Sequence, residues 1–157
     1  MNKNWKIIAG TILVLLCLLV NCSLGFCYPA QVKSIIDGDT IELEDGTRLR
    51  YIGIDAPEVK RGKAEPYAQE SLEANKKLVE GKEVWVEIDA QEYDKYGRLL
   101  AYVFVSSIFV NAWLVENGYA KVVYYPPNVK YYRYFRFLEK KAREKNLGIW
   151  IKISSKT

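Results

Sequence analysis

Hydrophobic and polar positions along this 157-residue chain fall into three kinds of pattern. The first is an almost unbroken apolar run from Ile7 to Val20, preceded by Lys3 and Lys6 and followed by Asn21, Cys22, Ser23 and Gly25. A basic start, an apolar middle and a small-residue tail are the parts of a secretory signal. The run is shorter than the roughly 20 residues that span a bilayer comfortably. It has no polar face, which argues against a buried core helix. Residues 1–27 are therefore expected to form a signal peptide or an N-terminal membrane anchor. The domain from 28 to 157 is then expected outside the cytoplasm: secreted, periplasmic or anchored on the outer side of the membrane.

The second pattern is the short β-segment. Gln31 to Ile36 and Thr40 to Leu43 read as strands with a bend at Asp37-Gly38. Asp45-Gly46 is a two-residue hairpin signal, with Thr47 to Ile54 as the returning strand. Val84, Val86 and Ile88 alternate with Glu83, Glu87 and Asp89, and Tyr96-Gly97 turns the chain into a β-rich stretch from Leu99 to Val105. The third pattern is helical spacing. Pro66 is suited to the first position of a helix, in which Ala68, Leu72 and Val79 recur and which Gly81 closes. A short helix is predicted from near Asn111 to Gly118. A final one carries Tyr131, Phe135, Leu138 and Ala142 as its apolar stripe, with Arg133, Arg136, Lys140 and Arg143 opposite. Asp55 to Glu65 reads as a polar loop. Five strands with a helix between the third and fourth outline an OB barrel. The expected fold is mainly β with α, a five-stranded OB-fold barrel with three helices.

Charge and cysteine usage sharpen this picture. From Lys121 to Thr157 there are ten Lys or Arg against Glu139 and Glu144, a local charge of +8, whereas acidic residues concentrate between Asp37 and Asp94. A basic region beside an acid-bearing one suits a polyanion held through a metal, and a solvated basic helix face is the plainer alternative. Cys17, Cys22 and Cys27 all lie in or just after the leader, so the domain carries neither disulfide nor thiolate metal site. Leu19-Val20-Asn21-Cys22 is a little like a lipoprotein processing site, with Asn21 where a small residue is expected. Lipid on Cys22 is the secondary expectation.

The candidate chemistry lies in three segments: Ile36 to Thr40, Arg50 to Glu58, and Asp94 to Arg98. Each alone is ordinary turn sequence. Together they place carboxylates and two arginines near the ends of barrel strands. Oxygen ligands without His or Cys favour Ca²⁺ or Mg²⁺ over zinc or copper, and guanidinium pairs suit a phosphodiester. The chain has no histidine, which excludes histidine-pair ribonucleases, His-metal nucleases and phosphodiesterases with a His nucleophile. Arg50 and Asp55 are an odd number apart, so strict alternation aims them at opposite faces. Convergence needs a bulge or bend, and Gly53 is the natural place.

These three motifs, in order and together with Leu100-Ala101-Tyr102, Val110-Asn111, Gly118 to Lys121 and Asn146 to Trp150, resemble the staphylococcal (micrococcal) nuclease family, the thermonucleases. The resemblance runs from about Ala30 to Trp150. It implies an OB barrel and a Ca²⁺-dependent endonuclease that hydrolyses DNA or RNA at the 5′-oxygen bond to leave 3′-phosphates. By the same resemblance Asp39, Asp55 and the backbone carbonyl of Ala56 would ligate Ca²⁺. Glu58 would act on the attacking water as general base, and Arg50 and Arg98 would bind the phosphate. Lys95, Tyr96 and Tyr124 would contact the nucleotide. Ala56 stands where the best-known member has Thr, keeping a carbonyl but no hydroxyl. Pro126 stands where a second tyrosine is expected, with Tyr125 beside it. Membrane contact is expected only through the leader, and the domain is expected to be a monomer. The alternative is a non-catalytic OB module that binds nucleic acid through Tyr124, Tyr125, Tyr131 and Tyr132. A binding module has no use for Asp39, Asp55 and Glu58 in a phosphate groove, since carboxylates repel the ligand unless a metal is present.

Overall fold

The computed structural model describes residues 27–60 and 63–151. The apolar run, Cys17 and Cys22 lie outside the described residues. The strands are β1 (Cys27–Asp37), β2 (Thr40–Leu43), β3 (Arg48–Tyr51), β4 (Ile54–Asp55), β5 (Val59–Lys60) and β6 (Lys63–Ala64), then helix α1 (Ala68–Val79). They are followed by β7 (Glu83–Tyr93), β8 (Leu99–Val105), β9 (Ile108–Phe109), α2 (Val110–Glu116), β10 (Lys121–Val122) and α3 (Tyr132–Glu144). A 3₁₀ turn at Gly148–Trp150 ends the described chain.

Five strands close on themselves: β3, β2, β1, β7 and β8 pair in that order, and β3 pairs back onto β8. The closing pair is parallel, with Leu49 opposite Leu99 and Arg50 opposite Leu100, and the others are antiparallel. This is the mixed five-stranded OB barrel, with three helices around it. Closure needs strong curl, and β1 supplies it through register shifts between Val32 and Ser34 and between Ile35 and Asp37. Alternation fills the interior: Leu49 and Tyr51 of β3 are buried between the outward Arg48 and Arg50. Val32, Ile41, Val84, Val86, Ala101 and Val103 pack around them.

The barrel's open seams are tied by buried polar side chains. Asn111 of α2 accepts from the Val103 N–H at 2.9 Å and donates to the Ile52 carbonyl at 3.0 Å, bridging β8 to the end of β3. Glu139 of α3 accepts from the Val122 N–H at 2.9 Å and so seats β10 on the helix. Each bond satisfies a backbone group that the ladders leave over.

The structure departs from the sequence expectation in four places. Strand β1 begins at Cys27, four residues before Gln31, because Cys27 to Ala30 pair with Glu87 to Val84. The predicted single strand from Thr47 to Ile54 is broken at Gly53, which adopts φ +77°. The loop from Asp55 to Glu65 contains the β5–β6 ribbon, Val59 opposite Ala64. Helix α1 starts at Ala68 and not at Pro66, because Glu65 accepts from the Ala68 N–H in a turn and Tyr67 sits at φ 70° as the cap.

Candidate active site

At the end of β1 the chain reverses through Asp37-Gly38-Asp39. Asp37 Oδ1 accepts from the Asp39 N–H at 3.0 Å, which tightens the turn. Asn75, buried in α1, donates to the Asp37 carbonyl at 3.0 Å and accepts from the Tyr51 hydroxyl at 2.9 Å. Glycine is required between the aspartates by contact: a Cβ on Gly38 would stand 2.6 Å from the Ala56 Cβ and 2.9 Å from the Ser71 Cβ. The turn therefore presses against Ala56, and Asp39 is driven inward to 5% exposure. Its Oδ2 accepts from the Ala56 N–H at 2.8 Å, and its Oδ1 from the Thr40 hydroxyl at 2.9 Å. Burial pushes the Asp39 carboxyl up to about 6, with Arg50 working against that shift and Asp37 adding to it.

Arg50 and Asp55 do converge. The left-handed turn at Gly53 rotates β4 relative to β3, and a Cβ on Gly53 would also come within 3.1 Å of the Phe135 ring. Arg50 Nη2 donates to Asp55 Oδ1 at 3.0 Å. Arg50 Nη1 lies 2.6 Å from Asp39 Oδ1, out of hydrogen-bond alignment, so this buried donor has no hydrogen-bond partner among the described residues. Burial opposes the guanidinium charge, but Asp39 and then Asp55 outweigh it and hold Arg50 above its ordinary range. Asp55 Oδ2 pairs with Lys121 at 3.0 Å, across the β4–β10 pair that sets these two residues opposite each other.

Arg98 is set by the hairpin between β7 and β8. Asp94 Oδ1 accepts from the N–H groups of Tyr96 at 2.8 Å and Arg98 at 3.0 Å. Its Oδ2 accepts from Arg98 Nε at 2.7 Å. Glu58 precedes the β5–β6 ribbon, and its carbonyl accepts from the Glu65 N–H at 3.1 Å. The result is one small pocket of about 120 Å³ lined by Asp37, Asp39, Arg50, Asp55, Ala56, Glu58 and Arg98.

Residues 48–152 match the family model of the staphylococcal nuclease homologues. The chain belongs to the staphylococcal nuclease family. It is 40% identical over 124 residues to the thermonuclease of Staphylococcus intermedius, covering 76% of this chain and 74% of that one. It is 37% identical over 125 residues to the thermonuclease of Staphylococcus hyicus, covering 76% of this chain and 74% of that relative. Endonuclease YncB of Bacillus subtilis (strain 168) is 41% identical over 124 residues, 74% of this chain but 59% of YncB. As a member of this family the chain is a phosphodiester-hydrolysing nuclease.

In this family member the sequence-predicted residues divide by place. Asp39, Arg50, Asp55, Ala56, Glu58 and Arg98 share the pocket. Tyr96 lines a neighbouring groove that shares Arg98, with Lys95 Nζ 5.0 Å from its ring centroid. Tyr124 is 62% exposed and packs edge-on to Tyr132 at 5.0 Å, outside the pocket wall. Tyr125 is the tyrosine that flanks the site, in a cleft of about 180 Å³ with Arg50, Gly53 and Asp55. Sequence reasoning gave no site role to Lys121, Asp94 or Asn75. Lys121 lay within the Gly118 to Lys121 stretch and Asp94 within the third motif, while Asn75 had no local signal.

The donor set fits a hard divalent cation. Four carboxylates against two guanidiniums leave the pocket with two negative charges in excess, and every other donor available is oxygen. Among the described residues no group of three His, Cys, Asp or Glu converges as a ready cage, because Asp39 and Asp55 direct oxygens to Arg50 and Lys121. Two carboxylates, a carbonyl and water are the set these residues can offer.

Proposed function

We propose that this chain is a calcium-dependent nuclease acting on DNA, RNA or both, cutting endonucleolytically and leaving 3′-phosphate ends. The observation that carries the reading is the gathering of Arg50, Glu58 and Arg98 around the same pocket as Asp39 and Asp55. Asp39, Asp55 and the Ala56 carbonyl would hold Ca²⁺, whose chemistry when bound is to neutralise a non-bridging phosphate oxygen. Glu58 takes a proton from water as the water oxygen bonds to phosphorus. Arg50 and Arg98 donate to the phosphoryl oxygens as charge builds. The bond from phosphorus to O5′ breaks, the departing oxygen takes a proton from solvent, and the phosphate stays on the 3′ side.

The test is digestion of DNA and RNA by the domain from residue 28, in Ca²⁺, in Mg²⁺ and in chelator, with the product ends identified. Ca²⁺ should support cleavage and Mg²⁺ poorly, since Mg²⁺ demands an octahedron with bonds of about 2.0–2.1 Å against about 2.3–2.6 Å for Ca²⁺. Equal turnover in both metals, or full activity in excess chelator, overturns the assignment.

Export belongs to the same proposal, with residues 1–27 as signal or anchor and the domain acting as a monomer outside the cytoplasm. Cell fractionation tests export, and full-length protein found soluble in the cytoplasm contradicts it. Fatty-acid labelling of wild type and Cys22→Ser decides lipidation.

A further inference from the structure

We propose that a second nucleotide subsite adjoins the cleavage pocket, with Arg48 holding a phosphate and Tyr93 and Tyr96 receiving a base. It rests on the nuclease reading. The subsite is a groove of about 450 Å³ between the β2–β3 and β7–β8 hairpins, lined in part by Arg48, Tyr93, Tyr96 and Arg98. Arg98 also lines the cleavage pocket, so a strand bound at one continues into the other.

Arginine placement follows from the sheet. Arg48 and Arg50 are two residues apart on β3 with Leu49 and Tyr51 buried, so both lie on its outer face, roughly 6.6 Å apart at about 3.3 Å per residue. The parallel register of Leu49 with Leu99 and Arg50 with Leu100 brings Arg98 alongside Arg48. Of the three, Arg50 is engaged by Asp39 and Asp55, and Arg98 by Asp94. Arg48 is exposed and makes no ion pair among the described residues. The acid opposite it across the β2–β3 pair, Glu42, is held by Lys33 at 2.6 Å. Glu42 attracts Arg48 as well, but with that carboxylate held by Lys33 the exposed guanidinium, next to two phosphate-site arginines, is suited to the next phosphate of the same polymer.

The aromatic residues take the other part. Tyr93 is 51% and Tyr96 72% exposed, and Arg98 lies 5.5 Å from the Tyr96 ring centroid. Exposed rings beside cations form a stacking platform for bases of any sequence. Glu92 and Asp45 stand near Tyr93, which disfavours a phosphate there and assigns the neutral base to Tyr93 and the phosphate to Arg48.

The test is the affinity of oligothymidylates of two to eight nucleotides, read by fluorescence anisotropy in excess chelator for wild type, Arg48→Ala, Tyr93→Ala and Tyr93→Phe. Wild type should gain affinity stepwise as the strand grows long enough to enter the groove. Tyr93→Ala should reduce that gain by about tenfold and Tyr93→Phe should retain it, the expected scale of one stacked base. Arg48→Ala should also reduce the gain and lower the log–log salt slope by about 0.7, one phosphate contact on a single strand. A length dependence and salt slope identical to wild type in both alanine variants overturns the subsite. Failure of the nuclease reading shows separately, as wild type that binds the ladder but cleaves nothing in Ca²⁺, and the ladder then still decides for or against the groove.

Discussion

Asp94 lines neither the cleavage pocket nor the groove beside it, yet the geometry makes it the residue that aims Arg98. Its side chain is 4% exposed, with Arg98 Nη2 and Nε both on Oδ2 at 2.7 Å and two backbone N–H groups on Oδ1. In Asp94→Asn one oxygen survives for the backbone and an amide N–H group then faces Arg98, donor against donor. Hydrogen bonds to charged groups contribute about 1.5–3 kcal/mol each; with Arg98 29% exposed, about 2 kcal/mol is the expected loss by urea unfolding at pH 7. Burial alone would raise the Asp94 pKa, but the Arg98 and Tyr96 N–H groups and the Arg98 guanidinium outweigh it and hold it below the ordinary range. Its stabilisation is therefore complete above the unfolded value of about 3.9 and is lost as pH falls through the lower folded one. The gap between wild type and Asp94→Asn should be constant from pH 8 to about 5 and close in more acid solution. Removing a donor to a developing oxyanion costs about 10²–10³ in kcat; Arg98 is released here and not removed, so about a tenfold fall in kcat is expected, with a smaller change in KM. Normal kcat in a destabilised variant would refute the positioning role and leave Asp94 as a hairpin staple only. A gap that widens in acid would refute the electrostatic account.

Three further outcomes follow from the same geometry. Gly38→Ala forces a Cβ to within 2.6 Å of the Ala56 Cβ and should cost about 1–3 kcal/mol in a thermal or urea melt, with cleavage falling as Asp39 shifts. In chelator, raising the pH from 4 to 8 should shift the stability difference in favour of Asp39→Asn, because the buried carboxyl titrates above its unfolded value and only wild type then carries its charge. Ca²⁺ should add nothing to the variant's melting temperature while raising that of wild type. Lys121→Ala removes an ion pair whose lysine is 55% exposed, so stability should change by less than about 1 kcal/mol. Since Lys121 competes for an Asp55 oxygen, Ca²⁺ affinity by calorimetry should rise, and weaker binding contradicts this.

The barrel was legible because its signals are local. Alternation at Arg48 to Tyr51 and the Asp45-Gly46 turn set strands and hairpin directly. Gly53 marked the break that lets Arg50 meet Asp55, and the structure places a left-handed residue there. What was missed depends on partners distant in sequence. Asn75 holds Asp37 from 38 residues away, and Asn111 reaches Ile52 across 59. Lys121 meets Asp55 only because β10 pairs with β4. Pro66 marked the approach to α1, but the turn from Glu65 to Ala68 delayed its start by two residues. Tyr124 and Tyr125 are adjacent, and only the path of the chain after β10 determines that Tyr125 flanks Arg50 while Tyr124 turns outward.

Glu58 and Arg98 are expected to act on the reaction and not on the fold or on capture of the strand. Glu58→Gln and Arg98→Ala should be compared with wild type for cleavage rate in Ca²⁺ and for affinity for a non-cleavable single-stranded DNA, with Lys140→Ala on the exposed face of α3 as the charge control. General-base loss should slow Glu58→Gln by about 10²–10⁴-fold, and Arg98→Ala should lose rate far more than affinity, while both stay folded. Lys140→Ala should bind slightly more weakly and with a slightly shallower salt dependence, with its chemistry intact. Folded Glu58→Gln and Arg98→Ala that cleave like wild type would contradict both roles.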